Sequence, residues 1–332
     1  MKAIKELASI LLRVAISIAL LIFLFKFNRI EVGDVLAVIA ASDKGYLFLG
    51  FLVASLVFVL GFFRWEMLLK ASHIYLPGKR VAIAFGGGAF FSLFLPSTIG
   101  GDLTRTLDLA AHTKRPREIV ATVFMDRLSG YVGLVLIAIF MLIFGWRYVW
   151  EYTEVILGIM VLTFVLLAVL VVLFNKPLYR RIKRMRVPGA GRIREVLTSL
   201  HAEIHLFRHK KEVLVNNLIL SVLIQAVLPL VGFIVSRSLG IKIHPLYFFL
   251  FLPVINAVSL LPVSIGGLGI RESMTVFLFA NVGLSKDIAL SMSLIQFFFL
   301  VVYSCIGGLI YVFSVRYRRI QHHKEPGVHQ DT

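Results

Sequence analysis

Apolar runs about as long as a bilayer is thick recur along this chain, at 10–25, 46–63, 119–144, 155–174, 213–235 and 289–313. A spanning helix needs about 20 predominantly apolar residues, so the pattern predicts six membrane-crossing helices. Two further apolar stretches, 81–95 and 246–261, run directly into Pro and Gly and are followed by amphipathic or weakly apolar pieces at 103–111 and 273–282. Each pair reads as a helical hairpin that dips into the bilayer and returns. The predicted fold is an all-α polytopic membrane protein with about six full spans and two re-entrant hairpins.

The breaks in those hairpins are written twice. Pro96-Ser97-Thr98-Ile99-Gly100-Gly101 is followed by Arg105, and Pro262-Val263-Ser264-Ile265-Gly266-Gly267 is followed by Arg271, with the same step of 166 residues from Pro96 to Pro262 and from Arg105 to Arg271. That step also carries 46–63 onto 212–229 and 119–144 onto 285–310. A single transmembrane domain over 1–316 therefore contains half-repeats at about 46–144 and 212–313, each helix, hairpin, helix. The helices at 10–25 and 155–174 are additions. Interrupted apolar segments at corresponding positions of two halves point to the substrate site of a transporter. Pro96, Gly100, Gly101, Pro262, Gly266, Gly267 and Gly269 are the predicted hairpin breaks.

Charge sets the orientation. The segment 175–212 holds eleven Lys or Arg against Glu195, Glu203 and Glu212, and the tail at 317–332 opens with Arg318, Arg319 and Lys324. Lys and Arg mark the cytoplasmic side of a bilayer, which places this loop and both termini in the cytoplasm of a multi-pass protein of the cell (inner) membrane. Trp146 and Trp150 then anchor the outer interface. Arg64, Lys70, Lys79 and Arg80 share the inner face with Lys114, Arg115 and Arg117, although only one apolar stretch separates the two groups. The first hairpin therefore enters and leaves on the inner face. The segment 237–244 falls outside, and 289–313 runs back in, so the second hairpin returns to the outer face. Together they form an inverted repeat. The N-terminus imitates a signal peptide, but its apolar part is long enough to span and no A-x-A-like site follows, so it is expected to be retained.

Composition narrows the function. Hydrophobic residues make up 59% and charged residues 16%, against about a quarter charged in soluble domains. No polar stretch is long enough for a separate soluble domain, which excludes a catalytic domain on a membrane anchor. A formal charge of +17 would suggest nucleic acid, but the cations lie between spans, where topology accounts for them, so no nucleic-acid partner is expected. Within the basic loop, Ile193, Val196, Leu197, Leu200, Ile204 and Phe207 repeat at helical spacing between flanking Arg and Lys. This predicts an amphipathic helix lying on anionic inner-leaflet headgroups. His201, His205 and His209 share its spacing, but without Cys or paired carboxylates no metal is expected. Cys305 is the single cysteine, so no internal disulfide forms. No P-loop, H-E-x-x-H or G-x-S-x-G pattern is present, so neither a cofactor nor enzymatic activity is predicted.

Six ionisable residues are candidates for substrate binding: Asp102, Arg105, Asp126, Arg127, Arg271 and Glu272. Glycines after a proline end one helix and expose the amides that start the next, and such an N-terminus favours an anion. Arg105 adds a bidentate donor suited to phosphate. Alternatively, Asp102 caps the following helix and pairs with Arg105 three residues on. The second tip carries Leu268 in place of the acid and sets Glu272 beside Arg271, so the halves are not chemically equivalent. Its plain alternative is an interfacial Arg–Glu pair. Asp126 and Arg127 lie inside a predicted span, where ionisable groups usually face a cavity or a partner. Gln225, Asn256 and Gln296 suit helix–helix contacts.

Taken together, Leu95-Pro96 through Gly100-Gly101-Asp102 and Arg105, Asp126-Arg127 with Gly130, and Leu261-Pro262 through Gly266-Gly267-Leu268-Gly269 and Arg271-Glu272 resemble the lysylphosphatidylglycerol synthase transmembrane region family, also called flippase-like domain proteins. The resemblance covers nearly the whole chain. In two-domain members a cytosolic aminoacyl-transfer domain follows this region; none follows in this sequence, so aminoacyl transfer is not implied. The resemblance implies transbilayer translocation of an anionic phospholipid or lipid-linked intermediate, with membrane lipid as the partner and room for a lipid-synthesis enzyme beside it. A lipid-modifying transferase and a non-catalytic scaffold for a lipid synthase are the alternatives.

Overall fold

A computed structural model describes residues 2–94, 98–175, 207, 210–259 and 264–324, with side chains from Ala15 in the first helix and to Ser314 in the last. Among these residues every regular element is helical: α1 Lys2–Asn28, α2 Val32–Ala41, α3 Lys44–Ala71, α4 Gly78–Phe94, α5 Thr98–Thr113, α6 Pro116–Phe144, α7 Trp146–Val149, α8 Thr153–Phe174, α9 Lys211–Ser238, α10 Leu246–Ser259, a 3₁₀ turn Ile265–Gly267, α11 Ile270–Ala280 and α12 Lys286–Lys324. The termini follow local chemistry. Asp43 accepts hydrogen bonds from the amides of Gly45 (2.8 Å) and Tyr46 (3.0 Å) to open α3, and Pro116 occupies the first turn of α6, where its missing N–H costs nothing.

Among the described residues five helices are long and apolar enough to cross a membrane: α3, α6, α8, α9 and α12. The sixth predicted span lies in α1, whose described apolar part is Ala15–Asn28. The hydrophobic pattern did not single out α2, a short apolar helix whose Val35 is buried against α12. One side of α8 is almost bare, with Met160, Phe164 and Leu167 more than half exposed. In a bilayer that side faces lipid tails. The basic loop's amphipathic helix and its three histidines lie outside the described residues except for Phe207, which is buried.

The repeat is visible in the helix bounds. Shifting α3 by 166 residues gives 210–237, against Lys211–Ser238 for α9; shifting α4 gives 244–260, against Leu246–Ser259 for α10. The two halves exchange partners: α4 packs along α12 of the second half, and α10 packs against α6 of the first. The α4–α12 crossing closes on glycine. A Cβ on Gly86 would lie 2.9 Å from the Gly307 Cα, so only hydrogen fits between these backbones.

The two hairpins break differently, which corrects the expectation that all the tip glycines end helices. Gly100 and Gly101 lie inside the first turn of α5, which begins at Thr98, four residues after α4 ends at Phe94; Pro96 lies outside the described residues. Gly101 is helical because α5 must pass close to α4: a Cβ there would collide with the Gly88 carbonyl and the Ser92 hydroxyl. In the second hairpin Gly266, Gly267 and Gly269 all have positive φ (59°, 76° and 85°) and are themselves the break. Pro262 lies outside the described residues.

Candidate functional site

Charged side chains from α3, α5 and α6 meet inside the helix bundle. Asp126 of α6 accepts from Arg64 Nε of α3 at 2.7 Å and from Arg105 Nη2 of α5 at 3.1 Å. Asp102 of α5 pairs with Arg105 Nη2 at 2.9 Å and takes both arms of Arg127, Nε at 2.9 Å and Nη2 at 3.0 Å. Three guanidiniums thus sit on two carboxylates, and one positive charge is left over. The Arg105 side chain is only 5% exposed, and its guanidinium stacks 4.6 Å from the centroid of the Trp65 ring. Trp65 is held in turn by its Nε1, which donates to Thr122 Oγ1 at 3.2 Å. Arg127 is the open member of the network, with 35% of its side chain exposed.

Small residues on facing helices shape this cluster. A Cβ on Gly130 would meet Arg64 Nη1 at 3.3 Å, so glycine on α6 leaves room for the guanidinium. Arg64 Nη1 also donates to Ser221 Oγ of α9 at 3.1 Å, and Gln225 Nε2, one turn further on, donates to the Gly130 carbonyl at 3.2 Å. The network therefore joins three helices of the first half to the first helix of the second.

The second hairpin tip is built around Glu272, which is fully buried. Its carboxylate accepts from the Gly269 amide at 2.6 Å and from Ser293 Oγ at 3.4 Å, and it pairs with Arg271. The Gly269 bond satisfies one of the amides orphaned at the start of α11. Gly269 also lets α1 approach: a Cβ there would lie 2.6 Å from Leu20 Cβ. Arg271 rests over Phe297, with its guanidinium 4.6 Å from the ring centroid.

Between the tips lies a cavity of about 650 Å³. Ser92 and Leu93 of the first hairpin line it, and so do Ser264, Gly266, Gly267 and Arg271 of the second. Arg64, Asp126 and Arg127 complete its charged wall; Leu134, Ile224, Leu228 and Leu300 supply apolar surface. Of the six predicted ionisable residues, Asp126, Arg127 and Arg271 reach the cavity. Asp102, Arg105 and Glu272 stand behind it as partners, so the expected direct role of Arg105 gives way to one of holding Asp102 and Asp126. Asp102 is not a cap: α5 begins four residues earlier, while its pairing with Arg105 agrees with the alternative reading. Gln296 donates to the Met292 carbonyl at 3.3 Å, on its own helix.

Hydropathy does not mark Arg64 as a site residue: it directly follows the apolar run ending at Phe63 and groups with the inner-face cations Lys70, Lys79 and Arg80. The signal available was Met67-Leu68-Leu69, apolar residues that continue the helix past it. Arg80 belongs to the same inner-face set, directly before the apolar run at 81–95. It is buried and pairs with Asp108 at 2.5 Å, tying α4 to α5 near the open end of the hairpin.

The chain belongs to the lysylphosphatidylglycerol synthase TM region family, whose model matches residues 10–307. It is a multi-pass membrane protein. No curated protein matches the sequence.

Proposed function

We propose that this family member moves an anionic lipid between leaflets, with the phosphate carried through the cavity between the two hairpin tips. The observation that carries this is the charge of the cavity wall: Arg64, Arg127 and Arg271 against the single carboxylate of Asp126. Guanidinium groups bind phosphate through two parallel hydrogen bonds and keep their charge at any accessible pH. Arg127 is bound to Asp102 in the same fork geometry a phosphate would use. An arriving headgroup exchanges with that carboxylate, and Asp102 keeps Arg105 as a partner, so the exchange strands no charge. A volume of about 650 Å³ falls in the size range of small-molecule sites and suits a headgroup. The family name refers to a lysylated lipid; a lysyl ester would bring ammonium groups beside three guanidiniums, so the lipid assigned here carries none.

The same proposal has the protein in the cytoplasmic membrane with both termini inside and the hairpins opening to opposite faces, a reading supported by the Lys and Arg bias of the loops. Cysteines introduced at Arg117 and Lys242, both exposed, in a Cys305→Ala background should label from opposite sides of the membrane. Labelling from one side would end the inverted-repeat topology.

The function is tested with proteoliposomes and fluorescent phosphatidylglycerol, reading how fast dithionite gains or loses access to the label. A hydrogen bond to a charged group is worth about 1.5–3 kcal/mol, so Arg127→Gln and Arg271→Gln should each slow movement by about tenfold or more. Wild-type rates in both variants would overturn the headgroup role.

A further inference from the structure

We infer that the cavity selects for hydroxyl groups on the headgroup, so that the lipid is a phosphodiester bearing a polyol such as glycerol or a sugar-like ring. The inference rests on the translocation reading for its biological setting, but the chemistry comes from a different part of the wall. Ser264 and Ser304 are 4% and 1% exposed, both line the cavity, and neither hydroxyl has a hydrogen-bond partner among the described residues. A buried hydroxyl without a partner loses its bonds to water and gains none in return, and native proteins keep few of them.

Four serines on other helical turns show what Ser304 forgoes. Ser221, Ser259, Ser273 and Ser291 each donate to the carbonyl four residues back, at 2.6–2.8 Å. Ser304 sits within α12 and makes no such bond. Ser264 lies at the second tip, one repeat length from Thr98 at the first. The carboxamides of Gln225 and Asn256 lie on the same wall.

This set distinguishes among headgroups. A phosphate only accepts hydrogen bonds, and the arginines already donate to it. Hydroxyls and carboxamides both donate and accept, and against a phosphate, which only accepts, or an ammonium, which only donates, a headgroup hydroxyl uses both capacities. Ammonium headgroups are disfavoured by the three guanidiniums. A site built to hydrogen-bond a hydroxyl rejects the analogue that lacks it, because its own polar groups are then left unpaired.

Short-chain lipids in detergent provide the test, by titration calorimetry on the intact protein. Dihexanoyl phosphatidylglycerol and dihexanoyl phosphatidylethanol carry the same single negative charge and differ in the headgroup hydroxyls. At about fivefold per hydrogen bond, the first should bind about 25-fold tighter. In Ser264→Ala/Ser304→Ala that ratio should fall to about one, with phosphatidylethanol affinity unchanged. The ligand-free double variant should melt no lower than wild type, since it loses two unpaired hydroxyls and no bond. Equal affinities in the wild type, or a ratio preserved in the variant, would overturn the inference. Dihexanoyl phosphatidylinositol binding tighter than phosphatidylglycerol identifies a ring polyol, and weaker binding identifies glycerol; either supports the class. Selective binding without movement in liposomes retires translocation and leaves the hydroxyl site standing. Movement without discrimination retires the hydroxyl site alone.

Discussion

Replacing Asp126 by alanine is expected to destabilise the protein by about 3–5 kcal/mol, the cost of removing one partner from a buried ion pair. Asp126 is the point at which α6 holds both α3 and α5: its two oxygens take Arg64 at 2.7 Å and Arg105 at 3.1 Å. Without it, Arg64 keeps Ser221 among the described residues, and the three guanidiniums repel one another with Asp102 as the network's remaining counter-charge. The loss comes mainly from uncompensated charge, so removing a charge on the other side should return part of it. Asp126→Ala/Arg64→Met should unfold less readily than Asp126→Ala alone, with a coupling of at least about 1 kcal/mol. Chemical unfolding in detergent measures both. A loss below about 1 kcal/mol in the single variant, or additive behaviour in the pair, would mean that the network is hydrated and contributes little.

Much of the architecture was legible because the bilayer fixes one length and the chain repeats one pattern. A run of apolar residues long enough to cross has few alternatives, and the step of 166 residues relates α3 to α9 and α4 to α10 to within two residues. The site was legible only in part. Asp126 and Arg127 stand out because they interrupt an apolar run, and Arg271 because it belongs to the repeated motif. Arg64 sits past the end of its run, and its burial depends on Asp126, 62 residues away. Arg80 depends likewise on Asp108, 28 residues away. Hydropathy averages a window and does not see partners at that distance. Ser264 and Ser304 carry no local signal, since a serine at a hairpin tip or on a helix is ordinary until its hydroxyl is found buried without a partner among the described residues.

The repeated glycines show how identical letters can serve different physical ends, and asparagine separates them. Gly101 and Gly266 both lie in the Gly-Gly pair of the motif. At Gly101 the backbone is helical, and the constraint is space: a Cβ would overlap the Gly88 carbonyl oxygen and the Ser92 hydroxyl and lie 3.0 Å from the Gly88 carbonyl carbon. A helix backbone cannot shift there without opening the α4–α5 hairpin. At Gly266 nothing lies within 4 Å of a Cβ, and the constraint is φ = 59°, a left-handed value that asparagine visits more readily than other side chains. Gly101→Asn should therefore cost about 3 kcal/mol, the upper end of overpacking, and abolish lipid movement by displacing α5 and with it Asp102 and Arg105. Gly266→Asn should cost under about 1 kcal/mol, whereas Gly266→Val, β-branched and without a polar side chain, should cost more. Unfolding midpoints of the three variants test the ordering. Equal losses for the two asparagine variants would mean that the glycines do the same work after all, and that the two hairpins share one backbone at their tips.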